Sequence, residues 1–270
     1  MFRSIAFGGG GVRGGLHVGA IAALESHRGT LLFPDGVYGS SIGAIVATAV
    51  AFNLNATQIK SMMDSHFHLS KILPPLKLES VLSLMYNKGI FTMTQFEDTV
   101  VEAFLSQGVD LRDKMIGDSP QKLHIFASNL TTTRPTILTG NVPLLTAIRC
   151  SCCLPFIFEP QNLYNHLYVD GGVCLHYLDS VVPADCLVLH ISRTTKSLHP
   201  SNLDSLTILD YVGDIYEVSR RSSMGKNTLW FENNSIGILQ ELTPEMKEML
   251  YTEGRSQTLA FLAKRGTEMS

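Results

Sequence analysis

The first fifty residues repeat one pattern of apolar and polar positions. A short apolar run at residues 2–7 predicts a strand, four glycines end it, and residues 17–25 place apolar side chains at helical spacing. Residues 36–39 predict a second strand, and a helix at residues 42–51 follows it directly. A strand, a turn and a helix repeated in this way are typical of βαβ units and predict a largely parallel sheet.

Strands and helices continue to alternate along the rest of the chain. Asn55 is expected to cap a helix, and Thr92 to begin another, because Gln95 three residues later completes a capping box. Apolar runs predict strands at residues 122–127 and 135–138, paired across the turn between them, and at residues 166–169, 186–191 and 228–231. Helices are predicted at residues 142–153, 203–221 and from residue 244 onward. The fold class is therefore α/β, a three-layer sandwich with a mostly parallel central sheet flanked by helices.

Residues 67–86 fit no steady period. Their apolar side chains are mixed with Lys71 and Lys77, and two prolines at residues 74–75 interrupt the run. We interpret the stretch as an ordinary core-facing helix, which is the commoner outcome for such a run. The alternative is a lid or an interfacial patch that docks on lipid.

The composition fits one large domain and argues against nucleic-acid binding. The 270 residues are 45% apolar and 17% charged, which is enough apolar surface for a substantial core. No repeat or low-complexity linker divides the chain, so we expect a single domain over residues 1–270. The formal net charge of −3 and the lack of a Lys/Arg block give nucleic acid no favourable field.

The sequence shows no secretion signal and no membrane span. Residues 2–7 are too short for a signal-peptide core, and the apolar stretch at residues 42–52 falls short of the about 20 residues that cross a bilayer. Five cysteines, an odd number without a secretion signal, indicate reduced thiols. We expect a cytoplasmic protein that can act peripherally at a membrane.

The strongest chemical motif is Gly39-Ser40-Ser41-Ile42-Gly43, a G-x-S-x-G between a predicted strand and a predicted helix. A nucleophile on such a tight turn needs small residues two places to either side, because side chains there would collide with neighbouring backbone. Ser41 would also lie at a helix N-terminus, where free N–H groups and the helix dipole favour developing negative charge. A plain Gly/Ser turn packed against a helix is the alternative.

A second motif follows the first strand, where four glycines at residues 8–11 lead into Val12-Arg13-Gly14. Bare backbone N–H groups in such a run can approach a charged oxygen, as the tetrahedral intermediate of ester attack requires. Gly9, Gly11 and Gly14 also satisfy a dinucleotide fingerprint, but Asp35 precedes the second strand, whereas the fingerprint needs an acidic residue at its end. No Gly-Lys-Ser/Thr follows, which excludes a Walker A loop.

A third motif, Asp170-Gly171-Gly172, follows the strand predicted at residues 166–169. An aspartate at a strand end, freed by glycines, could reach a serine at another strand end on the same edge of the sheet. The alternative is a plain Asp-Gly turn.

Together the three motifs resemble the patatin-like phospholipases, which carry G-G-G-x-R-G, G-x-S-x-G and D-G-G/A in that order. Here the motifs occupy residues 9–14, 39–43 and 170–172. The resemblance covers about residues 2–192 and includes the stretches 88–91, 127–130 and 147–155, whereas residues 200–270 show none and form a C-terminal part of helical pattern. The cysteine-rich stretch 150–153 departs from the alanine that the family usually has beside the serine.

The resemblance implies a lipid acyl hydrolase with a serine–aspartate dyad and no histidine. Ser41 would attack the acyl carbonyl, and Asp170, its pKa raised from about 4 by burial, would take the proton. Gly39 and Gly43 would shape the nucleophile turn and Gly171 and Gly172 the aspartate turn. The oxyanion hole would be formed by Gly9, Gly10, Gly11, Val12, Arg13 and Gly14.

The implied substrates are acyl esters of glycerophospholipids or acylglycerols at a membrane or lipid-droplet surface. We expect no cofactor, no nucleotide, no nucleic acid and no metal, although His66, His68 and the cysteines at 150–153 remain a candidate metal set. Arg13 either steadies the glycine loop, meets a lipid phosphate or is solvated.

Three alternatives stay open. A Ser-His-Asp triad could use His176, His190 or His199, which follow Asp170 in the order of α/β-hydrolases. The chain could also be a Rossmann-like nucleotide-binding domain, or a catalytically silent lipid-binding relative.

Overall fold

One large sheet organises the computed structural model, which describes residues 2–174, 178–192, 211, 215, 225, 227–233 and 235–268. In chain order the strands are β1 (Ser4–Phe7), β2 (Gly36–Ser40), β3 (Gly89–Phe91), β4 (Leu123–Asn129), β5 (Arg134–Leu138), β6 (Phe156–Phe158), β7 (Gln161–Leu163), β8 (His166–Val169), β9 (Leu187–Ser192) and β10 (Thr228–Glu232). The α-helices are α1 (Gly15–Arg28), α2 (Ile42–Ala51), α3 (Ala56–His66), α4 (Leu69–Ile72), α5 (Leu78–Asn87), α6 (Thr94–Leu105), α7 (Leu144–Cys152) and α8 (Pro244–Glu268).

The sheet is mostly parallel, as the sequence predicts. Its strand order within the described residues is β10-β9-β1-β2-β4-β8-β7, with β5 also paired to β4. The five strands from β10 to β4 are parallel, whereas β5, β7 and β8 join in antiparallel fashion. Strands β3 and β6 form a separate parallel pair.

The two predicted strand–turn–helix units lie at the centre of the fold. Strands β1 and β2 are buried along their whole length, which is usual for parallel strands covered on both faces. Helix α2 begins and ends as predicted, and every residue after Ile42 is buried, because a helix that is apolar on all sides belongs in the core. Helix α2 packs against β2, α7 against β4 and α8 against β10, while α1 packs against α8. Helices therefore flank the sheet, which confirms the α/β fold class.

The pairing of β4 brings two strand ends together. Ile125 pairs with β2 on one side and with β5 on the other, and Ser128 pairs with β5 on that second side. The pairing of Ser128 with Val169 of β8 must therefore lie on the β2 side. Strands β2 and β8 thus run towards each other along the same flank of β4. Ser41 and Asp170 are the first residues beyond their ends.

The local predictions for two helix starts have different outcomes. Asn55 caps α3 through the capping box it forms with Gln58, whose side chain and backbone N–H both take part. The capping box expected between Thr92 and Gln95 is wrong. Helix α6 begins at Thr94, and the Thr92 hydroxyl donates a hydrogen bond to the Thr94 hydroxyl at 3.3 Å.

The core-facing interpretation of residues 67–86 holds for Phe67, Ile72 and Leu73, which pack against the core, but it is wrong for helix α5. None of its side chains that the structure describes is buried, and Leu82, Met85 and Tyr86 are half or more exposed. The short strands β3, β6 and β7 are not predicted by the sequence pattern, because three residues are too few to show a period. The helix expected at residues 203–221 lies outside the described residues.

Candidate active site

Ser41 lies on the sharp turn between β2 and α2. Its backbone has φ 56° and ψ −131°, a combination that costs a non-glycine residue about 1–3 kcal/mol. A Cβ at Gly39 would overlap the carbonyl oxygen of Gly43, and a Cβ at Gly43 would overlap that of Phe7. The G-x-S-x-G spacing therefore follows from backbone packed against backbone on both sides of Ser41.

Ser151 of α7 fixes the backbone of Ser41. The Ser41 N–H donates to Ser151 Oγ at 2.9 Å, and that hydroxyl in turn donates to the Phe126 carbonyl of β4 at 2.6 Å. Ser151 is fully buried. No pattern in the sequence indicates this role for Ser151, although its stretch is part of the family resemblance, so only the structure reveals the contact.

The glycine loop after β1 runs beside Ser41. A Cβ placed on Gly9 would lie 3.1 Å from Ser41 Cβ, and Gly11 has a φ of 57° that favours glycine. The N–H groups of Val12 and Arg13 are already used, since they donate to the carbonyls of Ile238 and Gly10 at 3.0 and 3.3 Å. Their backbone N–H groups therefore do not fit the expected role in an oxyanion hole. Gly14 lies beside this loop and packs against Ile42.

Arg13 is completely buried, which excludes the solvated interpretation of this residue. Its Nε donates to the Gly10 carbonyl oxygen at 3.2 Å. On the other side of the loop, the buried His17 donates from Nε2 to the Gly8 carbonyl oxygen at 2.8 Å. Both side chains hold the glycine loop from within the protein.

Asp170 is buried at the end of β8, and its surroundings lead back to the serine turn. Its N–H donates to the Cys153 carbonyl oxygen at 2.7 Å, and its Oδ1 accepts from the Gly172 N–H at 2.8 Å. A Cβ on Gly171 would overlap the Ser40 hydroxyl, so the aspartate turn and the serine turn are packed directly together. The structure therefore brings all three sequence motifs to one place.

A cavity of about 110 Å³ includes Ser41 in its wall. Most of the wall is apolar and includes Ile42, Ile45, Met63, Phe96, Phe158 and Leu250. Three charged residues, Lys60, Asp64 and Lys247, also line the cavity. Lys60 forms ion pairs with Asp64 at 2.7 Å and Glu248 at 3.0 Å, while Lys247 donates to the Asp64 backbone carbonyl, and burial lowers the pKa of Lys247. The cavity suits a hydrocarbon chain far better than a nucleotide.

The histidines proposed for a triad are not assembled around Ser41 in the described part of the chain. His190 lies on β9, two strands away from β2, which corresponds to about 10 Å at the usual strand spacing. Its ring stacks on Trp230 with centroids 4.2 Å apart, so it is a packed core residue. His176 and His199 lie outside the described residues.

The other candidate binding groups lie apart from one another. Asp35 forms a 2.6 Å ion pair with Arg3 before β2, at the opposite end of the strand from the glycine loop. His68 lies 3.8 Å from Glu241. No group of three potential metal ligands occurs among the residues that the structure describes. Over the same residues, every helix is too short or too polar to pass through a bilayer.

Four of the five cysteines are buried. Burial raises the pKa of Cys150 and of Cys186 to about 12, and it also raises the pKa of Cys152 and Cys153. Cys174 is partly exposed. A thiol nucleophile is therefore a poor candidate at any of the buried positions.

A family model described as patatin-like phospholipase matches residues 5–178. That range contains the serine turn, the aspartate turn and the glycine loop.

Two curated proteins illustrate the sequence similarity. An uncharacterised Bacillus subtilis protein, YqhO, is 27% identical over 198 residues, which are 66% of this chain and 65% of that protein. An Escherichia coli cUMP-AMP-activated phospholipase is 25% identical over 210 residues, which are 69% of this chain and 59% of that protein. The matched part of this chain thus spans less than two thirds of either relative.

Among solved structures, VipD from Legionella pneumophila matches 97% of this chain and 67% of its own, with a TM-score of 0.60 and 15% identity. That likeness supports the fold.

Proposed function

The chain belongs to the patatin-like phospholipase family, and on that basis we propose that it is a lipid acyl hydrolase with Ser41 as nucleophile and Asp170 as general base. Its substrates are the carboxylic esters of glycerophospholipids or acylglycerols. The observation that carries this proposal is the position of Ser41, on a strained turn in the wall of a largely apolar cavity. A dinucleotide-binding role has no comparable support.

The arrangement of the two strand ends, with Ser41 and Asp170 just beyond them, supports the following reaction. Ser41 Oγ forms a bond to the acyl carbon while its proton passes to Asp170. The tetrahedral intermediate collapses, the ester C–O bond breaks, and Asp170 returns the proton to the departing alcohol. A water molecule then attacks the acyl-enzyme with Asp170 again accepting a proton, which frees the fatty acid and restores Ser41.

The negative charge on the intermediate needs donors that the fold does not already use. Because the N–H groups of Val12 and Arg13 are engaged, we assign the oxyanion hole to the backbone of Gly9, Gly10 and Gly11. Gly9 already lies against Ser41. The N-terminus of α2 adds a favourable dipole at the same point. Loss of one such donor typically costs about 3 kcal/mol of transition-state stabilisation.

The cavity supplies binding energy for the acyl chain. Each methylene transferred from water to an apolar wall contributes about 0.8 kcal/mol, so a chain of several methylenes would hold the carbonyl beside Ser41. Soluble esters with very short acyl groups are expected to react, but with a lower kcat/KM than longer ones.

Labelling with a fluorophosphonate probe tests the nucleophile directly. The wild-type protein should be labelled on Ser41, as identified by peptide mass spectrometry, and Ser41→Ala should not be labelled. Ser40→Ala is the matched control, because it removes the neighbouring hydroxyl of the same turn and leaves Ser41 in place, so labelling should persist. An unlabelled wild-type protein would favour a catalytically silent lipid-binding relative, and labelling that survives in Ser41→Ala would refute the assignment.

A further inference from the structure

Helix α5 exposes its apolar side chains to solvent. Within residues 69–88, which we name the docking segment, Leu76 is 61% exposed, Leu82 50%, Met85 69% and Tyr86 80%. Leu82, Met85 and Tyr86 follow the three- and four-residue spacing of one helix face. The exposed apolar surface is therefore contiguous along the helix, and contiguous patches of this kind mark interaction sites.

The opposite side of α5 is the polar one, and it faces the protein. Ser83 Oγ donates to the Gly89 carbonyl oxygen at 2.9 Å, and Asn87 Nδ2 donates to Glu159 Oε1 at 2.8 Å. A helix on the surface of a water-soluble domain normally buries its apolar face and exposes its polar one. In α5 that orientation is reversed and held by side-chain hydrogen bonds. The reversed orientation indicates that the apolar face of α5 contacts an apolar environment outside the protein.

The docking segment is continuous with the wall of the cavity. Leu69, Ile72 and Leu73, at its start, line the cavity that contains Ser41. Only two residues, Pro74 and Pro75, separate Leu73 from the exposed Leu76. One stretch of chain thus connects the candidate acyl site to an exposed apolar surface.

The positive charge of the docking segment indicates which kind of surface it binds. Residues 69–88 contain Lys71, Lys77 and Lys88 against one acid, Glu79, in a chain of net charge −3. Lys71 is paired with Glu102 at 3.2 Å, so the excess of positive charge in the segment comes from Lys77 and Lys88. Lys77 and Lys88 flank α5 immediately before and after it. Basic groups beside an exposed apolar helix face are the features that bind anionic lipid at a membrane interface.

We propose that the docking segment binds the protein to the surface of an anionic phospholipid bilayer. Leu82, Met85 and Tyr86 insert among the acyl chains at the interface, and Lys77 and Lys88 lie at the level of the lipid phosphates. A lipid acyl chain then enters along Leu73 and Ile72 towards Ser41, and this last step rests on the function proposed above.

Vesicle flotation of the Ser41→Ala protein tests the proposal, because this variant leaves the lipid intact and binding is scored without turnover. The vesicles are phosphatidylcholine alone or an equal mixture of phosphatidylcholine and phosphatidylglycerol. The double change Met85→Ser and Tyr86→Ser should weaken binding to the mixed vesicles at least tenfold. Lys77→Gln should weaken it about fivefold on mixed vesicles and leave binding to phosphatidylcholine unchanged.

Matched controls lie at the opposite, amino-terminal edge of the sheet. Leu32→Ser removes a side chain that is 57% exposed, and Lys122→Gln removes an exposed lysine, so both should leave binding within twofold. Thermal unfolding should give the same melting temperature for the docking-segment variants as for their parent, because the changed side chains do not pack in the core.

Equal binding by the Met85/Tyr86 variant and its parent would overturn the proposal, as would no binding of mixed vesicles at all. A dimer in light scattering that these changes dissociate, with vesicle binding unaltered, would assign the face to a second copy of the chain and also overturn it. Vesicle binding without ester hydrolysis in the wild type would refute the proposed function and leave the docking surface standing. Ester hydrolysis by a wild-type protein that binds no mixed vesicles would refute the docking surface and leave the proposed function standing.

Discussion

Ser151 Oγ accepts a hydrogen bond from the backbone N–H of Ser41 at 2.9 Å. The same hydroxyl donates to Phe126 on β4, so one buried side chain ties the serine turn to the central strand and to α7. Ser128, two residues further along β4, donates to the Gly171 carbonyl oxygen at 3.3 Å and accepts from the Cys174 N–H at 2.9 Å. Strand β4 thereby holds the serine turn and the aspartate turn in register.

This relationship predicts a role for Ser151 that does not involve contact with substrate. Ser151→Ala leaves a buried N–H and a buried carbonyl without their partner, which typically costs about 1–3 kcal/mol of stability. We expect a lower melting temperature and a lower kcat with KM for a soluble ester nearly unchanged. Ser151→Cys, which restores a weak acceptor and donor, should recover part of both. If a folded Ser151→Ala protein keeps the wild-type kcat, the hydrogen bond from the Ser41 N–H to Ser151 does not position Ser41 for reaction.

The backbone of Ser41 allows a prediction about stability. At φ 56° an alanine is strained and a glycine is not, although glycine loses more chain entropy on folding. The balance favours Ser41→Gly over Ser41→Ala by about 1 kcal/mol in the free energy of unfolding. Urea titration of both variants measures the difference. If Ser41→Ala proves the more stable of the two, the turn does not store strain at this residue.

The thiols give a test of burial that is independent of catalysis. Because burial raises the pKa of Cys150 and Cys186 to about 12, these groups stay protonated and shielded at pH 8, as do Cys152 and Cys153. Ellman's reagent should therefore report at most one thiol in the native protein, Cys174, and five in denaturant. Cys174→Ser should remove the native signal. Rapid reaction of a second thiol in the native protein would contradict the burial of Cys150, Cys152, Cys153 and Cys186.

The sequence predicted the parts of the fold that depend on local pattern. The βαβ units, the capping of α3 by Asn55 and the bounds of α2 follow from periodicity and turn chemistry within a few residues. The meeting of β2 and β8 could not be predicted, because it depends on β4 changing its partner between Phe126 and Ser128.

The orientation of α5 could not be predicted from its sequence pattern either. An apolar stripe does not reveal which side of the helix meets the protein, and here the bonds of Ser83 and Asn87 decide it.

The candidate site was predicted as a set of motifs, and their assembly required the structure. Gly9, Ser41 and Gly171 come from three separate stretches, and the fold packs them within one small volume. The hydrogen bonds of the Val12 and Arg13 N–H groups could not be read from the glycine pattern, because the acceptor for Val12 is Ile238, more than two hundred residues away. Long-range contacts of this kind leave no local signal.

The proposed role of Asp170 as the base for Ser41 is tested most directly by kcat/KM on a soluble short-chain ester. Asp170→Asn keeps the size of the side chain and removes the proton acceptor, so kcat/KM should fall at least about 100-fold with the melting temperature preserved. Alanine at His176, His190 or His199, one at a time, should leave kcat/KM within a few-fold of wild type wherever the variant folds. A folded histidine variant without activity, or an Asp170→Asn protein that keeps its activity, would contradict the dyad.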